Sequence, residues 1–177
     1  MNTLKLAPDF KEALWTHLLP CSTTREQAAF LFCTTRAVDG GLEFEAIDHR
    51  LLNPADFAAQ YDDYIELSDA ARIALIKKAH ALEASLVEMH SHPGPLPAAF
   101  SWSDRAGLKD TVPHMRWRLK KRPYLAIVVA PSGYDALVWA QDAKIPEPLA
   151  GIDLGDGALL RPTNASLKGW GEDGQSF

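Results

Sequence analysis

Apolar residues recur at helical spacing from Pro8 to Leu19, where Phe10, Leu14, Trp15 and Leu18 share one side of a helix that Pro20 closes. The period then changes. Residues 27–38 are apolar and β-branched (Ala28, Phe30, Leu31, Phe32, Thr34, Thr35, Val38), which predicts a strand. Asp39-Gly40-Gly41 turns it into a second strand from Leu42 to Leu52, and Asn53-Pro54 ends the hairpin. Between Asp56 and Glu66, Phe57, Tyr61 and Tyr64 keep no clean period, so a loop or insertion with short helical turns is expected. Ser68-Asp69 has the form of a cap for a helix to about Ala84, with Ile73, Ile76, Ala79, His80 and Leu82 on its buried side. Leu86 to His92 reads as a short strand, followed by a proline- and glycine-rich loop from Pro93 to Phe100. Ser101 opens another helix, expected to bend or break near Pro113 and to end at Pro123. Tyr124 to Ala130 and Tyr134 to Ala140 form a second hairpin around Pro131-Ser132-Gly133, and the Gly- and Pro-rich residues beyond it give no clear element.

Helices that alternate with hairpins imply a mixed sheet with flanking helices, in α/β or α+β style. The 177 residues contain no internal repeat and no linker, so one domain over 1–177 is expected. Such a chain buries roughly 70% of its unfolded surface. A composition of 47% hydrophobic and 23% charged residues is that of an ordinary globular protein. The net charge of −5 offers no basic surface for nucleic acid or anionic lipid. Arg116, Arg118, Lys120, Lys121 and Arg122 do cluster, but at a helix end, where cations are favoured and solvated. No apolar run approaches ~18 residues, so no membrane span is expected. The first nine residues lack a basic segment followed by an apolar one, and Cys21 and Cys33 make no disulfide framework, so a cytoplasmic setting is expected.

The chemistry concentrates in Glu88-Met89-His90-Ser91-His92-Pro93 and Ser101-Trp102-Ser103-Asp104. Residues two apart on a strand point the same way, about 6–7 Å along the chain. His90 and His92 can therefore converge on one metal ion, and Asp104 of the following helix would supply a third ligand. Two imidazoles and a carboxylate leave a tetrahedral zinc with one open position, the arrangement of a catalytic site, where water ionises at neutral pH. Ser101-x-x-Asp104 also has the form of a helix capping box. The two roles are compatible, because the helix dipole favours an ionised carboxylate in the first turn. His17, His49, His80 and His114 have no partner at ligand spacing and read as surface or satisfied core residues, and Cys33 as a small buried hydrophobe. Phe100 and Trp102 flank the site and suit either a substrate groove or the core.

His90-Ser91-His92-Pro93 followed by Ser101-x-x-Asp104 resembles the signature of the JAMM/MPN (JAB) zinc metalloproteases. Their upstream glutamate is matched by Glu26 in Glu26-Gln27-Ala28-Ala29-Phe30-Leu31-Phe32, and the resemblance spans about residues 8–140. Ala29 stands where the family has glycine, and the loop from His92 to Asp104 is one residue longer than the common form. The resemblance implies an MPN/JAB-like (cytidine-deaminase-like) fold, with His90, His92 and Asp104 as zinc ligands, Glu26 as general acid/base and Ser101 as oxyanion stabiliser. Glu88 is a rival to Glu26 by proximity, but from the strand that carries His90 it would compete for the metal instead of holding a water beyond it. The implied activity is hydrolysis of the peptide or isopeptide bond after the C-terminal glycine of a ubiquitin-like protein, as deconjugation or precursor processing. Stand-alone bacterial members suggest a conjugation operon with an antiphage role, whose activating and conjugating enzymes would be partners. The alternatives are a hydrolase that trims a sulfur-carrier protein and a non-catalytic MPN scaffold.

Overall fold

Residues 28–33 are buried one after another, which a strand with one wet face does not allow. In a computed structural model describing residues 1–171, they form the inner half of a strand covered on both faces. The end of the expected domain, 172–177, lies outside the described residues. In chain order the elements are β1 (Asn2–Lys5), α1 (Pro8–Leu18), β2 (Ala28–Val38), β3 (Gly41–Leu51), β4 (Phe57–Gln60), β5 (Ile65–Leu67), α2 (Asp69–Ala81), β6 (Ser85–Ser91), α3 (Trp102–Arg118), β7 (Tyr124–Ala130), β8 (Gly133–Trp139), β9 (Leu149–Asp153) and β10 (Leu159–Leu160).

Eight strands form one mixed sheet in the order β10-β9-β1-β3-β2-β6-β7-β8. β2 pairs antiparallel with both β3 and β6, while β6 runs parallel to β7 and β1 parallel to β3 and β9. Alternate residues of β2 go to opposite faces. Ala28, Phe30 and Phe32 pack with Leu75 and Ile76 of α2 and with Leu108, Val112 and Met115 of α3. Ala29, Leu31 and Cys33 pack with Leu14 and Leu18 of α1 on the other side. The result is the mixed sheet with flanking helices that the pattern implied. Among the described residues no helix is long and apolar enough to cross a membrane.

Several expectations need correction. The buried side of α2 is Ala71, Leu75, Ile76 and Ala79, whereas Ile73 and Leu82 are exposed. Ile73 lies two positions from Leu75, about 200° round the helix, and so faces away from the sheet. The stretch after β3 is not a loop with helical turns alone. A single 3-10 turn at Pro54–Asp56, closed by an Asn53–Asp56 capping box, leads into β4 and β5, which pair as a small antiparallel sheet. Phe57, Ile65 and Leu67 give that sheet an apolar side to lay on the core. α3 does not break at Pro113 but continues as one helix to Arg118. Proline removes one backbone donor, and the buried Val112 and Met115 on either side hold the helix to the sheet. Arg116 is not part of a solvated terminus: it is buried, and its guanidinium donates to the carbonyls of Lys121, Arg122 and Gln141. Three strands at one side of the sheet, β1, β9 and the edge strand β10, were not anticipated.

Candidate metal centre

β6 lies between β2 and β7, so its backbone is fixed from both sides. His90 is its penultimate residue, and His92 continues the line, its N–H donating to the Val129 carbonyl at 2.8 Å. The two rings meet edge-on with their Nε2 atoms 3.2 Å apart. Asp104 comes from the first turn of α3 and is oriented by the capping box. Its Oδ2 accepts the Ser101 N–H at 2.7 Å, and its own N–H donates to Ser101 Oγ at 3.0 Å. The same Oδ2 lies 3.3 Å from His90 Nε2 and 3.1 Å from His92 Nε2. The two histidines and the carboxylate therefore present three donor atoms in a nearly equilateral triangle.

Glu26 is buried just ahead of β2. Its N–H donates to the Tyr61 carbonyl at 3.0 Å, and its carbonyl accepts Gln60 Nε2 at 2.9 Å, so the β4–β5 unit holds its backbone. Its Oε1 reaches to 3.4 Å from His92 Nε2. The donor atoms of Glu26, His90 and His92 all lie within 4.8 Å of one another, and these three residues could hold a metal ion. Two imidazole nitrogens with a carboxylate oxygen of Glu26 beside them, and the Asp104 oxygen in reach of both rings, are donor types suited to a cation.

The electrostatics follow from the crowding. Burial pushes the Glu26 carboxyl up to about 7, with His90 and His92 pulling it down and Asp104 adding to the rise. Burial also works against ionisation of Asp104, but hydrogen bonds from His90 and His92 outweigh it and hold this carboxyl well below the usual range. At His90, burial opposes the charged ring, yet the bond to Asp104 prevails and raises its pKa above the ordinary value.

His90, His92, Asp104 and Glu26 come together, and Ser101 sits at the helix cap beside Asp104. Glu88 stays outside the donor group although it shares the strand. Phe100 is buried with its ring 5.8 Å from that of His90, while Trp102 is exposed. His17 is satisfied by the Ala28 carbonyl at 3.0 Å. Two contributors have roles that the sequence did not reveal. Ser91 is buried, and its Oγ accepts the Gln27 N–H at 2.9 Å while its N–H donates to the Gln27 carbonyl at 3.0 Å, tying the residue after Glu26 to the His-Ser-His strand. Ser166, far along the chain, accepts the Phe100 N–H at 2.8 Å.

Searches against protein-family models and against curated proteins found no match. Fold and site together define a mixed α/β domain with a candidate metal-binding group at the end of a central strand.

Proposed function

We propose that the protein is a zinc-dependent hydrolase of the JAMM/MPN type, with an MPN/JAB-like fold, cleaving the peptide or isopeptide bond after the C-terminal glycine of a ubiquitin-like protein. The observation that carries this reading is the convergence of His90, His92 and Asp104, with Glu26 beside them. Adjacent ligands of a tetrahedral zinc at 2.0–2.1 Å are about 3.3–3.4 Å apart. The three donor separations here, 3.1, 3.2 and 3.3 Å, come close to that edge. Two imidazoles and one carboxylate also match the ligand count of a catalytic zinc, which keeps a position open.

Zinc held there would supply Lewis acidity and ready ionisation of water at neutral pH. The remaining work falls to the chain. Glu26, with a proton affinity near neutrality, takes a proton from the attacking water and returns it to the leaving amine. Water and amide thereby become acid and amine with no net proton change. Ser101 Oγ accepts the Asp104 N–H, which leaves its own hydrogen to donate to the scissile carbonyl oxygen as charge develops there. Among the described residues β4 and β5 pair only with each other, and an extended tail could add to this small sheet as a further strand close to Glu26.

On this reading the partners are a ubiquitin-like modifier and its conjugates, together with activating and conjugating enzymes of one operon. The test is zinc analysis of the purified protein, plus cleavage of a ubiquitin-like fusion encoded beside the gene, with and without chelator. About one zinc per chain is expected, with loss of both metal and cleavage in His90→Ala, His92→Ala and Asp104→Ala. Full zinc occupancy in all three variants, or cleavage indifferent to chelator, would overturn it.

A further inference from the structure

Glu88 precedes His90 by two residues on β6 and turns to the same face, yet the donor cluster does not use it. It lines a cleft of about 360 Å³ that has His90 and Asp104 in its wall, so a group bound there lies next to the reacting bond. Phe30, Ile65, Leu67, Phe100 and Leu108 supply apolar walls. Glu66 and Asp110 are exposed on its lining, and among the described residues Arg72 of α2 is the one lysine or arginine that lines it. The Tyr124 hydroxyl lies beside the Glu88 carboxyl, but Glu88 Oε1, sealed from bulk solvent, has no hydrogen-bond partner among the described residues. Buried polar atoms are ordinarily bonded, so an orphan carboxyl oxygen beside a cleft points to a partner that arrives from outside. Arg72 acts on Glu88 through space, but among the described residues no ion pair joins the two. The cleft is therefore not closed by an internal salt bridge.

We propose that this cleft is a specificity pocket for a basic side chain of the substrate close to the scissile bond, with Glu88 receiving the cationic head. For its substrate the inference rests on the hydrolase reading; its binding chemistry is independent of it. A lysine or arginine stem lies well against apolar walls while its charge seeks an acid. The cleft carries three carboxylates, Glu66, Glu88 and Asp110, besides Asp104 of the cluster, against a single guanidinium. That balance favours a cation over an anion or a neutral amide. The cleft has room for one long side chain.

The experiment compares N-acetyl-arginyl-glycinamide with its citrulline analogue, which has the same shape and no charge. Binding to the full chain is followed by NMR titration, with and without zinc. The arginine probe should bind about tenfold more tightly than the citrulline probe, as expected of a charge-assisted hydrogen bond. Glu88→Gln, checked for fold and zinc content, should bind the two alike, and Arg72→Gln should bind the arginine probe more tightly than the parent. Equal binding of both probes to the parent protein, no binding of either at millimolar concentration, or discrimination that survives in Glu88→Gln overturns the proposal. Failure of the hydrolase reading looks different: no zinc and no cleavage, with the preference for arginine intact.

Discussion

Asp135 on β8 has no exposed surface and, through Ser166, is tied to the segment that leads into the Ser101 cap. Its Oδ1 accepts the Ala136 N–H at 2.9 Å and its Oδ2 the Ser166 N–H at 3.0 Å. Ser166 Oγ then accepts the Phe100 N–H, immediately before the Ser101 cap, and Thr163 adds a second tie through the Ala98 carbonyl at 2.8 Å. Asp135→Asn changes the volume hardly at all, but its amide nitrogen cannot accept. Whichever way the amide turns, one backbone N–H meets another donor in a site with no route to solvent. Losing a bond of this kind to a carboxylate, with a buried donor left unmet, costs about 2–4 kcal/mol. For a chain of this length that corresponds to a fall in Tm of roughly 5–15 °C, read by calorimetry on the metal-free protein. Ser166→Ala removes only the second link, and about 1–2 kcal/mol is expected. Because Phe100 leads directly into the turn bearing Asp104, both variants should also weaken metal binding, measured by zinc titration against a competing chelator. A Tm within about 2 °C of the parent in Asp135→Asn, together with unchanged zinc affinity, would refute the argument, since a shift that small is under 1 kcal/mol.

The other expectations bear on the centre itself. Glu26→Gln should keep its metal and lose nearly all turnover, because an amide cannot shuttle a proton; an active, metal-loaded Glu26→Gln would remove Glu26 from the chemistry. Ser101→Ala should retain zinc, slow turnover about 10²–10³-fold through loss of an oxyanion donor, and cost ~1 kcal/mol of stability through loss of the cap. A lower Tm with turnover intact would reduce Ser101 to a cap. In the metal-free protein, burial lifts Glu26 and Glu88 from 4.5 to about 7, and the Asp104 bond lifts His90 against its burial. Raised groups hold their protons more tightly in the fold, so their contribution is complete below the unfolded pKa and is lost as pH rises through the folded value. Tm without metal should therefore fall between about pH 5 and 8, and saturating zinc should offset the fall, since its ligands bind deprotonated. A metal-free Tm that is flat or rising over that range would contradict the assignment.

The inner part of the sheet was legible because its signals are local. An unbroken apolar run marks β2, and Asp39-Gly40 and Pro131-Ser132-Gly133 mark its hairpin and that of β7 and β8. β1 was not legible, because four residues offer only two inward positions, and one of them is Asn2. That buried amide is satisfied by Glu147 and by the Pro148 carbonyl, and it accepts the Leu42 N–H. Its partners are brought to it by the folded sheet and leave no trace in local periodicity. The phase of α2 failed for a related reason. Ile73 and Leu82 are apolar but lie off the Ala71–Leu75–Ile76–Ala79 stripe, and composition alone does not say which apolar residues the sheet will take.

At the candidate site the divide between legible and hidden follows chain separation. His90 and His92 are neighbours on one strand face, and Ser101 and Asp104 belong to one helical turn, so each pair is set by local geometry. Nothing in the residues near Glu26 directs it to a partner on β6; only the resemblance singled it out. Its backbone is held by Tyr61 and Gln60, and the next residue, Gln27, is tied to Ser91 between the histidines. On a strand the side chain between two neighbours faces the other way, so Ser91 cannot join the cluster, and it bonds instead to both polar groups of the Gln27 backbone. The His-Ser-His triplet thereby does two jobs from one segment: alternate residues supply donors, and the residue between them fixes the lead-in to β2 that carries the carboxylate. A hydroxyl suits that place because it accepts a backbone N–H without adding volume to a packed position, which neither alanine nor a larger polar residue would do.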